Sequence, residues 1–71
     1  MPTEVCAHIT GTVWKIEKRP GDAVAEGDTV VILESMKMEI PVVAPVSGTI
    51  SEVRVAPDDK IQEGDVVVVI G

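Results

Sequence analysis

Aromatic residues are almost absent from this chain: Trp14 stands alone, with no Tyr or Phe. Cysteine and histidine occur once each, as Cys6 and His8. One thiol excludes an intrachain disulfide, and the two residues together fall short of the four ligands that a structural zinc site takes. Positive charge is scarce as well. Six Lys and Arg against twelve Asp and Glu leave a net charge of −6. That balance argues against nucleic acid as a partner, because phosphates select basic surfaces. No apolar run is long enough to span a membrane, and no basic-then-apolar signal segment opens the chain. A lone thiol without a signal segment suits a reducing compartment, so a cytoplasmic location is expected. The 71 residues make one domain, residues 1–71, expected to be complete from Met1 and monomeric when isolated. A chain this short buries only about 60% of the surface its unfolded form exposes. With no disulfide or metal to staple it, a compact closed sheet without loose edges is the expected solution.

What the chain does contain is a repeat. A shift of 37 positions aligns residues 4–34 with residues 41–71 without gaps, and eleven of the 31 pairs are identical. Glu26-Gly27-Asp28 returns as Glu63-Gly64-Asp65, and Gly11-Thr12 as Gly48-Thr49. Apolar positions match conservatively, as in Val13 with Ile50 and Leu33 with Ile70. Two units are too few for a solenoid. Two similar halves packed face to face about a pseudo-two-fold axis fit better. Such an axis makes the link at residues 35–40 the counterpart of the two chain ends. The link and the ends then occupy opposite poles, and residues 4–9 pair antiparallel with residues 66–71.

Each half reads as β structure. Residues 12–18 and 49–55 are β-rich runs that follow a Gly. Pro20-Gly21-Asp22 and Pro57-Asp58-Asp59 are turn signals, and the two Glu-Gly-Asp segments are a second pair. Residues 30–33 and 66–70 are apolar runs of the kind that pack against an opposing sheet. Closely spaced strands and turns indicate an all-β sandwich or barrel. Pro41 and Pro45 belong at a strand start or a sheet edge, since Pro cannot donate to a ladder.

One segment breaks a local rule. Residues 29–43 form a β-rich stretch of fifteen without Gly, Asn or Asp, whereas strands usually run about 3–10 residues. It has to fold back on itself using residues that are not turn formers. The fold-back falls within Ser35-Met36-Lys37-Met38-Glu39-Ile40, with Lys37 at the midpoint of the repeat. Most lysines are simply solvated. A lysine at the junction of two halves, between methionines that cannot both enter a thin core, is a candidate presentation site instead. A helix across residues 36–40 is incompatible with this reading.

Glu34-Ser35-Met36-Lys37-Met38-Glu39 resembles the attachment motif of the biotinyl/lipoyl domain family, whose core is Met-Lys-Met preceded by Ala or Ser. The Gly-Asp and Glu-Gly-Asp turns before it are similar to the family's, as is the later stretch with Ala44, Pro45 and Gly48. The resemblance covers nearly the whole chain and is closest to small stand-alone biotin attachment proteins. It implies a flattened barrel or sandwich of two four-stranded antiparallel sheets with pseudo-two-fold symmetry. It implies biotin joined covalently to Lys37 by a biotin protein ligase that reads Glu34, Ser35, Met36, Met38 and Glu39. It further implies a carrier and not an enzyme, passing carboxyl groups from a biotin carboxylase to a carboxyltransferase, with acyl-CoA carboxylases as the setting. Three departures stand out. The gapless repeat leaves no room for the protruding loop of some relatives. Many family members are the tail of a larger carboxylase. Asp58 replaces the Gly21 of the first half, so its turn is expected to differ in shape.

Two alternatives remain open on the same residues: lipoate on Lys37, or an unmodified interaction module of the same fold. Lipoyl domains usually carry Asp before the lysine and Ala after it, so the methionines favour biotin. The remaining polar candidates carry less. His8 is read as a strand residue without a carboxylate or nucleophile to work with. Cys6 is read as a small hydrophobe. The turn carboxylates are read as ordinary turn chemistry and not as metal ligands. Trp14 is matched by Ser51 in the repeat, which predicts that its position is partly exposed.

Overall fold

Stretches rich in β-branched residues between turn signals build eight strands in the computed structural model, which describes residues 2–71. In chain order they are β1 (Thr3–Cys6), β2 (Gly11–Ile16), β3 (Ala23–Val24), β4 (Thr29–Ser35), β5 (Met38–Val43), β6 (Gly48–Val53), β7 (Lys60–Ile61) and β8 (Val66–Ile70). They form two four-stranded antiparallel sheets, ordered β1-β8-β6-β3 and β5-β4-β2-β7. The shift of 37 turns β1, β8, β6 and β3 into β5, β4, β2 and β7. The repeat therefore exchanges the two sheets, and each sheet is built from both halves.

The symmetry extends to detail. The β1–β8 ladder skips Val67, and the β4–β5 ladder skips its counterpart Val30. The β2–β4 ladder skips Trp14, and the β6–β8 ladder skips Ser51. The core consists of fourteen buried residues that are seven repeat pairs, among them Val13 with Ile50, Val30 with Val67 and Leu33 with Ile70. Ile16 and Val53, also a pair, pack against its edge. One apolar pattern, written twice, fills the space between two sheets that a single copy could not cover.

The turns repeat in the same way. At 19–22, 25–28, 56–59 and 62–65 the fourth residue is Asp, and its carboxylate accepts the backbone N–H three residues back at 2.8–2.9 Å. Gly21, Gly27 and Gly64 take φ of 93°, 92° and 94° at the third position, as a type II turn requires. Asp58 adopts φ 74°. Its turn thus keeps the form of the first-half turn, correcting the expectation of a different shape. Asp is among the few residues with a side chain that enter this region readily.

Three further expectations are corrected. The sheets are not closed, and β1, β3, β5 and β7 are edges. Two stacked layers already bury the core, and the edges are blunted otherwise: β3 and β7 are two residues long, and β5 carries Pro41. His8 lies on an exposed bend and not on a strand. The ladder of β1 runs only from Thr3–Ile70 to Cys6–Val66, after which Ala7 N–H bonds Asp65 O at 2.9 Å. The chain then leaves that sheet for β2 in the other one, so residues 8 and 9 cannot pair as expected. Cys6 is only partly buried. Among the described residues no helix is long and apolar enough to cross a membrane.

The body measures 33 × 17 × 16 Å. β5 runs away from its hairpin apex and delivers the chain through the bend at 44–47 to Gly48, beside Ile70. Pro2 lies against Gly71 at that same end. The apex of the β4–β5 hairpin and the chain ends are thereby held at opposite poles. Gly11 packs against the hairpin just below its apex. A methyl group at its Cα would lie 2.7 Å from the backbone oxygen of Glu34, and backbone cannot swing aside as a side chain can. Gly11→Ala is expected to lower stability by about 1–3 kcal/mol, read as a reduced urea midpoint.

Candidate functional site

The hairpin is where the sequence and the backbone disagree most. Strands β4 and β5 pair from Thr29–Val43 to Ser35–Met38, leaving Met36 and Lys37 as a two-residue connection. Their φ angles are 54° and 65°. Positive φ at both central residues is the type I′ turn, whose twist matches that of the strands and which usually carries Asn-Gly. Left-handed backbone costs a residue with a Cβ about 1–2 kcal/mol. The β4–β5 ladder holds the turn in place against that cost. Backbone strain retained at an exposed apex is an observation from which a functional role can be inferred.

Register decides what the apex displays. Leu33, Ser35, Met38, Ile40 and Val42 share one face of the hairpin, since side chains alternate along a strand. Leu33 and Val42 are buried, Ile40 is half-buried, and Met38 is 64% exposed. The row of core residues thus continues past the end of the core into solvent. Met36 is 91% exposed on the turn itself, so both methionines are presented. Glu34 and Glu39 are directly opposite one another on the other face, both exposed. Like charges placed so are unfavourable for the ladder. Ser35 is half-buried opposite Met38.

Lys37 is exposed, and none of the ion pairs among the described residues involves it. The other three lysines differ in setting. Lys15 is paired with Glu17 at 3.3 Å, Lys18 is half-buried and Lys60 lies on the short β7. A primary amine on the apex of a two-residue turn can be approached from every side but the one it is attached by. That geometry fits an amide-linked group, which needs a reachable amine and no pocket. Met36→Gly is expected to raise stability by about 0.5–1 kcal/mol. It removes the left-handed penalty, and Gly's greater chain entropy cancels only part of the gain. The urea midpoint measures the difference.

The structure brings Glu34, Ser35, Met36, Lys37, Met38 and Glu39 together at one pole and leaves His8, Cys6 and Trp14 elsewhere. No group of three or more metal-binding side chains occurs among the described residues. The positive φ angles were not legible in advance, because Met and Lys carry no turn signal. Trp14 is 50% exposed, as its match with Ser51 predicts. Trp14 also borders a groove lined by Lys15, Lys18 and Arg19, which the sequence did not reveal although the three cluster in it.

Comparison with known proteins follows the same lines. The profile of the biotin/lipoyl family described as "Biotin-requiring enzyme" matches residues 1–70. A biotinylated protein TB7.3 homolog of Mycolicibacterium smegmatis is 52% identical over 44 residues, 62% of either chain. The biotin/lipoyl attachment protein of Bacillus subtilis is 50% identical over 40 residues, 56% of this chain and 55% of that one. The match thus spans little more than half the length of each relative. The crystal structure of Kluyveromyces lactis urea carboxylase contains a similar fold with TM-score 0.95 and 35% identity, covering 100% of this chain and 6% of that one.

Proposed function

The chain belongs to the family of biotin-requiring enzymes, and on that premise we propose that it is a biotin carboxyl carrier modified on Lys37. The observation that carries this is the strained two-residue turn, which holds an unpaired amine at the pole farthest from the chain ends. A biotin protein ligase presents an activated biotinyl ester. The Lys37 amine gives up a proton and attacks the ester carbonyl. The C–N bond of an amide forms as the C–O bond to the leaving group breaks. Met36, Met38, Glu34, Glu39 and Ser35 form the surface the ligase reads.

Once attached, biotin supplies the capacity to hold and release a carboxyl group. The protein's part is placement. The long lysine arm, fixed at one end to a rigid hairpin, keeps the group at high effective concentration near whichever active site the domain meets. The partners are a biotin carboxylase and a carboxyltransferase. The chain acts as a carrier, with chemistry left to its partners, and works as a monomer in the cytoplasm.

Intact-mass measurement after co-expression with a biotin ligase tests the proposal. One biotinyl addition is the expected result. A lipoyl addition on co-expression with a lipoate ligase instead would assign the same lysine to the other cofactor. No addition by either enzyme would leave an unmodified interaction module.

A further inference from the structure

The sheets and core of this protein obey the repeat closely, so a place where the two halves diverge in chemistry is a place the fold does not explain. One groove, of about 410 Å³, is such a place. Its walls include Ile16 and Val53, and Pro20 and Pro57. Each of these is a pair related by the shift of 37, so the pseudo-two-fold axis passes through the groove. An axis that exchanges the two poles meets the surface at the waist, about midway along the 33 Å length.

Around this symmetric floor the rim is one-sided. Trp14, Lys15, Lys18 and Arg19 of the first half line the groove. Their counterparts are Ser51, Glu52, Val55 and Ala56. Three of the six cationic residues of an acidic chain are therefore gathered here, and no carboxylate lines the groove. Lys15 is paired with Glu17. The other ion pairs among the described residues all use Arg54, which leaves the side chains of Lys18 and Arg19 without an acidic partner.

The fold does not require these residues. Ser51 in the second-half bulge donates its hydroxyl to Val69 O at 3.1 Å, whereas Trp14 fills the equivalent bulge and remains 50% exposed. Val55 packs against the core, while Lys18 occupies the matching position. An exposed tryptophan flanked by unpaired cations has the composition of an interface anchor. The charge of the groove is opposite to that of the rest of the surface, so it selects an acidic partner and steers it to this face.

We propose that the waist groove around Trp14, Lys18 and Arg19 docks an acidic segment with an apolar tip, belonging to the biotin carboxylase that loads the Lys37 arm. The identity of that protein rests on the carrier function proposed above. Docking at the waist holds the body while leaving the hairpin pole free to reach.

The test uses substitutions that the second half of the chain already accommodates: Trp14→Ser, Lys18→Val and Arg19→Ala, combined in one variant. Biotinylated wild type and variant are compared as substrates of a biotin carboxylase that accepts the wild type. A KM at least about tenfold higher, with kcat and the rate of biotinylation by the ligase unchanged, is the expected result. An unchanged KM overturns the proposal. A second measurement does not depend on biotin. Trp14 fluorescence of the unmodified chain is titrated with a blocked peptide of alternating Glu and Leu. A saturable shift is expected that weakens with added salt and is absent with the corresponding Lys and Leu peptide. Equal shifts with both peptides overturn the proposal, as does the same shift with inorganic phosphate alone, which would mark a small-anion site. A shift on concentrating the chain without peptide would assign the groove to a second copy and overturn it too. If the wild type takes up no biotin, the carrier function fails while the titration still decides the groove.

Discussion

Lys37→Arg is expected to abolish biotinylation completely, with no residual addition in the intact mass after co-expression with the ligase. Arginine keeps the length and the positive charge of the side chain and occupies the same backbone position. It replaces a primary amine that can deprotonate and attack by a guanidinium that stays protonated. The left-handed φ of 65° at this position costs arginine what it costs lysine. The urea midpoint of the variant is therefore expected to stay within about 0.5 kcal/mol of wild type, as is usual for exposed positions. That pairing of results separates lost chemistry from lost folding. Lys15, Lys18 and Lys60 do not substitute, because none of them sits on a turn apex. A biotinyl addition that persists in Lys37→Arg would move the attachment site to one of them and remove the hairpin from the account.

The sequence was most informative where a physical requirement had to be met twice. Leu33 and Ile70, or Val13 and Ile50, are buried pairs in the structure because both halves must cover the same core. That requirement left a mark in the repeat. It extends to the exchange of the two sheets, which follows once the halves are matched. The presence of a fold-back within residues 35–40 was also legible, from a β-rich stretch too long for one strand. Its conformation was not. Met36 and Lys37 hold positive φ only because the ladder on both sides fixes the register, and that constraint is tertiary. The shape of the Asp58 turn was misjudged for a related reason. Four side-chain carboxylates, from Asp22, Asp28, Asp59 and Asp65, clasp the four turns identically, and the clasp outweighs the exchange of Gly21 for Asp58. His8 was misplaced because the crossing from one sheet to the other leaves no hydropathy signal. The waist groove was not legible because its members lie on two sheets and two turns, and only the fold brings Val53 and Pro57 beside Trp14 and Lys18.

Leu33→Ala and Ile70→Ala form a matched experiment on how far the symmetry reaches. Both residues are buried, at 0% and 3% exposure, and they are repeat counterparts. Truncating either one empties core volume and is expected to cost about 2–5 kcal/mol. A domain of 71 residues has roughly 4–11 kcal/mol of total stability at typical values per residue. Either variant is therefore expected to lose a large share of its urea resistance, and by similar amounts. Function is where they diverge. Leu33 faces Ile40 across the hairpin and Val13 on β2, two residues before the turn begins. Ile70 does the corresponding work beside Thr3, at the pole of the chain ends. At a temperature where both variants remain folded, Leu33→Ala is expected to slow biotinylation by the ligase several-fold, while Ile70→Ala leaves the rate near wild type. Equal slowing in both would mean that the ligase senses global stability. Slowing in Leu33→Ala alone would mean that it reads the strained turn, and that the symmetric fold has assigned its two ends different tasks: one displays the lysine and the other gathers the chain ends.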